Sequence, residues 1–502
     1  MKRLFAVLLA LLILLSLAAC GEEGTTARRF SKEDEEPMKK DAAAAQYLAD
    51  FIVRAAEYPA LPDMPDAAEL DAAFGAIDPA VLGAEAYEKA EQQIWEDWDR
   101  RSMAYYSALN EMRSKGTAQP EAFRSFTEKA AQELLSARDN TVVSPANLYL
   151  ALAMLSETTN GESRAQLLSL LGLNDTAEAQ EAGNYIWRNL YSETESGQTQ
   201  LASSVWLNEN VSYHTQTLDT LAQQYLASAF SAPMGSEKTD RAIAEWLNEN
   251  TGGLLEEAAG GIETKPETAM LLLTALYFKD AWSDEFSESA TKQDTFTAAG
   301  GEKQTADFMH LTQSCAAYYR GENYTVAQLR FQGGQAMRFL LPDEGAALES
   351  LLSGGEAAGG LMAYDMGAVL ETAELRWSVP KFDVDSDLEL TDALKALGVA
   401  DVFDFDKADF SPLIDEEKFD ESIAVAQVQH AAREDQRGGL RGGGVHGDHG
   451  GRGGSDARGS AGGGNEPEPA VRVHDHRRGR PAAVPRNGGL AVKKRRANDG
   501  VG

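Results

Sequence analysis

Residues 269–286 read AMLLLTALYFKDAWSDEF, an apolar run followed by a polar one that keeps two aromatics. From Ala269 to Phe278 it is almost continuously apolar, yet too short to cross a bilayer and bounded by charged or turn-forming residues. Such a run suits a strand buried on both faces, at the centre of a large sheet. A buried helix has the same apolar content, so the surroundings decide: the chain beyond supplies strand-length segments to flank a central strand. The second half turns polar but keeps Trp282 and Phe286, so the strand is expected to leave the sheet with its exit pinned by aromatics.

Downstream, Val379-Pro380-Lys381-Phe382 begins a strand at a position where proline is tolerated, and Leu394, Leu397, Gly398 and Val399 form an apolar helix end with a glycine stop. Upstream, Pro120 to Ser136 predicts a helix with Phe123, Phe126, Ala130 and Leu134 on one stripe. Asn140 to Val143 predicts a short strand closed by Ser144-Pro145. Helices follow over Leu148 to Ser156 and Ser163 to Leu171, the second stopped by Gly172. Nearer the N-terminus, residues 38–57 predict an Ala-rich helix broken by Pro59, Pro62 and Pro65. Ala68 to Ser114 reads as helical, with Trp95, Trp98, Met103 and Tyr106 spaced for a buried face. Mixed strands and helices, with helices clustered early, give an α+β architecture.

Several of these segments share one resemblance. NTVVSPANLYLALAMLSETTNGESRAQLLSLLGL is similar to the serpin segment that follows the first helix, through Ser144, Pro145, Ala151 to Leu155, Gly161, Gln166 and Gly172. Trp246-Leu247-Asn248 with Thr251, Gly253 and Leu254 resembles the end of the helix crossing the serpin main sheet. Ala275 to Phe286, Leu340 to Asp343, and VPKFDVDSDLELTDALKALGVADVFDFDKADFSPL follow in serpin order. The resemblance spans Phe123 to Ala432. It implies a serpin-like fold with a large central mixed sheet, further sheets and about eight or nine helices.

It also implies a mechanism: suicide inhibition of serine, and in some cases cysteine, proteases. An exposed loop is attacked as a substrate, and the cleaved loop then inserts into the main sheet as a new strand, distorting the acyl-bound protease. Such an inhibitor is not an enzyme; it needs no catalytic residue, metal or cofactor of its own. Carried across, the cluster that gates sheet opening involves Ser144, Asn147, Thr274 and His430. Asn147 stands where serine is common and Thr274 where asparagine is common. That exchange would preserve a hydrogen-bond network with His430. A histidine merely satisfied in the core is the plainer reading of His430.

The formal net charge is -33 over 502 residues, but it is unevenly spread. Residues 433–502 carry 14 Lys and Arg against 8 Asp and Glu, whereas residues 1–432 carry 32 against 71. The acidic body argues against nucleic acid as a partner. At the N-terminus, Lys2 and Arg3 precede an apolar run from Leu4 to Ala19 that stops at Cys20, which reads as a secretory signal peptide over 1–20. Its end, Leu17-Ala18-Ala19-Cys20, resembles the bacterial lipobox, implying lipid attachment at Cys20 and an extracytoplasmic, membrane-anchored or released protein. Cys315 is the only other cysteine, so stability is expected from the core and not from a disulfide. Residues 21–118 then divide into a charged tether and a helical extension, ahead of a serpin-like domain over 119–432.

From Arg433 onward the resemblance stops. The tail has no Phe, Tyr, Trp, Ile or Met and holds 19 of the 45 glycines, so it cannot bury a core and is expected to be disordered. Its RGG repeats, Lys493-Lys494-Arg495-Arg496 and His446-Gly447-Asp448-His449 suggest RNA, a nuclear signal or a metal, each a poor fit to an exported lipoprotein. A one-base shift of frame accounts for the tail better. From Glu434 the codons permit KINEEGCEAAAFT, a hinge of small residues, and Asn465 to Arg478 permit MNRNRPFVFMITG. Both resemble the serpin C-terminus and fall in its order. The reactive bond, the loop and the late strands are therefore expected to be missing as written. A non-inhibitory serpin-like binding or scaffold lipoprotein is the competing reading, and an RNA-binding tail module is a third.

Overall fold

The structure is a computed structural model. It describes residues 11–18, 48–65, 67–115, 120–135, 139–193, 197–252, 259–298, 300–364, 367–415, 423–435 and 471–474, with backbone course alone for 11–18, 67, 120, 385, 427, 429–435 and 471–474. Cys20, the tether and the glycine-arginine and lysine-arginine motifs lie outside the described residues.

The apolar run after Ala269 forms strand β6 (Met270–Lys279), buried on both faces as expected. Its alternation assigns each face. Met270, Leu272 and Leu276 belong to one apolar cluster, and Leu271, Leu273, Ala275 and Tyr277 to another on the opposite side. β6 lies antiparallel to β4 (Gln198–Asn208), and β4 lies parallel to β5 (Ala227–Ala232). On its other side β6 pairs in parallel with β1 (Leu11–Ala18), which pairs in parallel with β13 (Gln427–Asp435). β12 (Asp383–Glu389) closes that end antiparallel to β13, and β2 (Ile52–Arg54) closes the other end antiparallel to β5. With β3 (Ser192–Glu193) on β4, this sheet has eight strands.

The helical extension is α1 (Ala67–Gly75), α2 (Pro79–Leu82) and α3 (Ala84–Arg113). A single helix was expected over 68–114. It breaks because Asp78 caps a new turn at Pro79, and Gly83 then takes a φ of +75°. Of the expected aromatic face, Trp95, Met103 and Tyr106 are exposed, and the residues α3 buries are Tyr105, Leu109 and Met112.

The domain proper starts with α4 (Pro120–Leu134), whose Phe126 and Ala130 are buried as the stripe predicted. α4 lies on α5 (Pro145–Thr158), with Phe123 and Phe126 both edge-on to Tyr149 at 5.4 and 5.2 Å. α5 is buried almost all round, because sheet and helices enclose it. Around it stand α6 (Gly161–Leu171), α7 (Thr176–Leu190) and α8 (Thr215–Gln224), with Gly172 ending α6 at a φ of +72°. Across the opposite sheet face runs α9 (Glu237–Asn250), its Ile243, Trp246 and Leu247 packed on Trp206 and Phe230.

A second sheet runs β10 (Ala336–Pro342), β9 (Tyr324–Arg330), β8 (Lys303–Arg320), β11 (Glu371–Pro380) and β14 (Val471–His474), with β7 (Lys292–Thr297) on β8. Trp282 enters its core, stacked on Phe331 at 4.2 Å and edge-on to Phe286 at 6.1 Å, so the aromatics do pin the exit of β6. α10 (Leu348–Ser353), α11 (Glu356–Met362) and α12 (Thr391–Ala396) bring the helices from residue 120 on to nine among the described residues.

Three expectations need correction. Residues 140–143 are extended without being a strand, since the Val142 N–H donates to the Ser386 hydroxyl at 2.8 Å and not to a ladder. The helix expected over 38–57 gives way at β2, where β-branched Ile52 and Val53 meet the open edge of β5. Val379-Pro380 ends β11 and does not begin a strand; the next strand, β12, starts at Asp383.

Candidate functional site at the foot of the central sheet

Ser144 is the N-cap of α5, in extended conformation with Pro145 next to it, and its Oγ accepts the Asn147 N–H at 3.4 Å. That cap fixes where the helix begins and sets Asn147, fully buried, in its first turn. Above it passes β6. Thr274 occupies an even position, and the even positions of β6 face α5, so its hydroxyl comes within 3.5 Å of the Asn147 carbonyl oxygen and donates to it. At that length the bond is weak, but both groups are buried and each satisfies the other. The link runs through the Asn147 backbone, so the exchange of side chains at 147 and 274 is accommodated by a carbonyl.

His430 lies on β13, with backbone alone described. The register still locates it: Leu14 of β1 is opposite Thr274 on one side and His430 on the other. Thr274 and His430 thus stand at one level, two strand spacings or roughly 10 Å apart. The structure brings Ser144, Asn147 and Thr274 together and sets His430 across a single intervening strand. Cys20 is not among the described residues, and Cys315 is exposed on β8.

The outer pair of strands also has backbone anchors of its own. Val428 donates its N–H to Thr391 Oγ1 at 3.2 Å and accepts from Leu390 N–H at 2.7 Å, while the Val425 N–H donates to the Val402 carbonyl at 2.7 Å. Gln166, one of the residues behind the resemblance, accepts from the N–H groups of Ala400 and Asp401 through one side-chain oxygen, at 2.8 and 2.9 Å. β12 and β13 are therefore held to the helices around α12, and β4, β5 and β6 to α5 and α9. Neither half pairs directly with the other. The strand between them comes from residues 11–18, far upstream in the chain.

At the other end of α5 a polar recess of about 670 Å³ is lined by Glu157, Arg164, Gln180, His214 and Thr217 among others. Burial pushes the Glu157 carboxyl up, opposed by hydrogen bonds from Gln180 and from the Tyr225 hydroxyl. The same burial, with Glu157 beside it, raises the Tyr225 phenol well above its usual range. These groups satisfy one another within the core. Among the described residues no cluster of three or more His, Cys, Asp or Glu side chains is placed to hold a metal.

A family model described as serpin (serine protease inhibitor) matches residues 121–433. Serpin-ZX of Arabidopsis thaliana is 24% identical over 312 residues, covering 59% of this chain and 78% of that protein. Among solved structures, the thermophilic serpin tengpin in its native state superposes with a TM-score of 0.58 at 23% identity, over 66% of this chain and 85% of its own. Human thyroxine-binding globulin does so with a TM-score of 0.55 at 21% identity, over 65% and 85%. The chain belongs to the serpin family. Its general function is thus of the protease-inhibitor type, and serpins as a rule inhibit and do not catalyse.

Sequence reasoning missed the role of residues 48–58, which lie ahead of the matched segment yet contribute a sheet strand and a core aromatic. Phe51-Ile52-Val53, an aromatic and two β-branched residues at the end of an alanine-rich stretch, was the available signal.

Proposed function

We propose that the chain derives from an extracytoplasmic, lipid-anchored suicide inhibitor of serine proteases, and that inhibition is lost in the frame in which it is written. The observation that carries this reading is the split of the central sheet. Two halves, β12-β13 and β6-β4-β5, do not pair with each other and accept a strand from elsewhere in the chain between them. A sheet of this kind gains a full set of ladder hydrogen bonds and buried side chains when a strand enters, and that gain is what a loop-inserting inhibitor uses to trap its protease. Ser144, Asn147 and Thr274 on one side of the intervening strand, with His430 on the other, are the proposed gate. In the shifted frame, the hinge permitted from Glu434 continues directly from β13 and supplies the strand to be inserted. Removal of the leader would clear residues 11–18 from the position.

Resequencing the DNA across codons 425–440, and incubating the frame-restored protein with a panel of serine proteases, tests the proposal. The expected result is a covalent adduct that survives SDS, with none from the chain as written. Cleavage without an adduct would instead favour a binding protein, the reading suggested by the likeness to thyroxine-binding globulin. Anchoring is tested on its own. The parent expressed in a bacterial host is expected to carry added acyl mass and to partition with membranes, and Cys20→Ser is expected to do neither. Equal masses would remove the lipid anchor from the proposal.

A further inference from the structure

Residues 48–58 lie ahead of the segment that the serpin family model matches, yet they are wired into β5, α7, α8 and α9 of the domain. Ile52 pairs opposite Phe230 and Arg54 opposite Ala229, and the Ser231 N–H donates to the Phe51 carbonyl at 2.7 Å. Phe51 is 7% exposed and enters the apolar cluster beneath α9, its ring centroid 6.4 Å from that of Trp206 on β4. From α9, Lys238 reaches back. Its ammonium lies 3.2 Å from Asp50 Oδ2 and 4.7 Å from the Phe51 ring centroid. One aromatic side chain is thus held between a sheet residue and a cation on the helix that covers the sheet.

The rest of the segment fastens it from behind. Arg54 Nε donates to Asp219 of α8 at 2.7 Å, the Glu57 N–H donates to the Ala222 carbonyl at 3.0 Å, and the Ala56 N–H donates to the Ser228 hydroxyl at 3.2 Å. The Tyr58 ring lies 5.5 Å from Trp187 on α7. Once residues 11–18 are gone and β6 closes on β13, a strand can enter between them only if the half-sheet β6-β4-β5 slides sideways beneath α9. That motion shears the interface of Trp206 and Phe230 with Ile243, Trp246 and Leu247. A segment joined both to the β5 edge and to the first turn of α9 opposes it.

We propose that residues 48–58 are a latch that couples α9 to the β5 edge and slows admission of a strand between β6 and β13. The proposal rests on the central sheet being a strand acceptor. It adds a brake supplied from outside the matched segment, with Phe51 as its bolt and the Asp50–Lys238 pair as its catch.

The test uses as parent the chain from Cys20 onward, so that residues 11–18 no longer fill the position between β6 and β13, with Phe51→Ala, with Lys238→Asp, and with the charge swap Asp50→Lys plus Lys238→Asp. Each is incubated with a fluorescent peptide of sequence KINEEGCEAAAFT, and uptake is followed on native gels. Phe51→Ala is expected to take up the peptide about tenfold faster than the parent, an effect set by a barrier change of ~1.4 kcal/mol. Lys238→Asp is expected to be faster as well, and the charge swap to return toward the parental rate. Phe51→Ala that takes up peptide at the parental rate overturns the latch, even if its melting temperature falls. Hydrogen exchange decides independently of uptake. The latch predicts faster exchange in α9 and β6 of Phe51→Ala, with β8 and β9 unchanged, and parental exchange in α9 and β6 overturns it. A parent that takes up no peptide while these exchange rates rise would count against the strand-acceptor reading and leave the latch supported.

Discussion

Shifting the reading frame by one base near codon 433 is expected to raise the thermal midpoint of the protein by roughly 10–20 °C and to sharpen its transition. The reason lies in β10, which among the described residues has β9 as its single neighbour. Met337, Phe339 and Leu341 pack on the core of the second sheet and Leu340 on a smaller cluster, yet all seven residues of β10 are only half-buried. The segment permitted in the shifted frame, RPFVFMI, is an apolar strand of the length needed to lie against them. Burying three further large apolar side chains stabilises by about 1.5–3 kcal/mol each, a sum comparable with the ~5–15 kcal/mol margin of a typical domain. Circular dichroism melts of the two chains, recorded under one buffer and concentration, check this. Coincident midpoints would show that the late strands contribute nothing and would remove the energetic case for the frame change.

Trp206→Ala is expected to cost about 3–5 kcal/mol, because it empties the centre of the interface between the sheet and α9. The indole is fully buried, stacks on Phe230 at 4.4 Å, and donates its N–H to Ser204 Oγ at 3.1 Å. Alanine leaves a cavity that neither rigid β4 nor the long α9 can close, and leaves the Ser204 hydroxyl without this donor. Trp95→Ala is the control. Trp95 is 46% exposed on α3 and touches Phe74, so its loss is expected to cost under about 1 kcal/mol. Urea titrations of the two variants against the parent separate these values, and equal midpoints for Trp206→Ala and Trp95→Ala would contradict the assignment of Trp206 to the core.

What could be read without coordinates followed from periodicity and punctuation. β6 was legible because a ten-residue apolar run between polar boundaries has few other homes, and Gly172 and Gly398 marked helix ends through the positive φ that each adopts. The stripe of α4 was legible for the same reason. Extended segments with tertiary partners were not. The Val142 N–H goes to Ser386, more than two hundred positions away, and no local pattern announces such a partner. Residues 52–54 were hidden in the same way, since the edge that makes them a strand is provided by β5. At the proposed gate, residue types pointed to Ser144, Asn147 and Thr274. That the carbonyl and not the side chain of Asn147 receives the Thr274 hydroxyl depends on the orientation of α5 under β6, which only packing determines.

The two ends of the large sheet carry a consequence for how copies of this chain meet. At one end β2 covers β5; at the other, β12 reads DVDSDLE, with Asp383, Asp387 and Glu389 all at odd positions and so on one face of the strand. A second molecule adding a strand beside β12 would align its own acidic body, net -39 over residues 1–432, against that row of carboxylates. Edge-to-edge stacking is thereby disfavoured on electrostatic grounds at one end and sterically at the other. Intermolecular strand exchange is left with the interior position between β6 and β13 and with the half-buried rim of β10. Association of this chain should therefore show itself as chains linked through inserted segments, slow to form and weakly dependent on salt, and not as the rapid, salt-promoted stacking of exposed sheet edges.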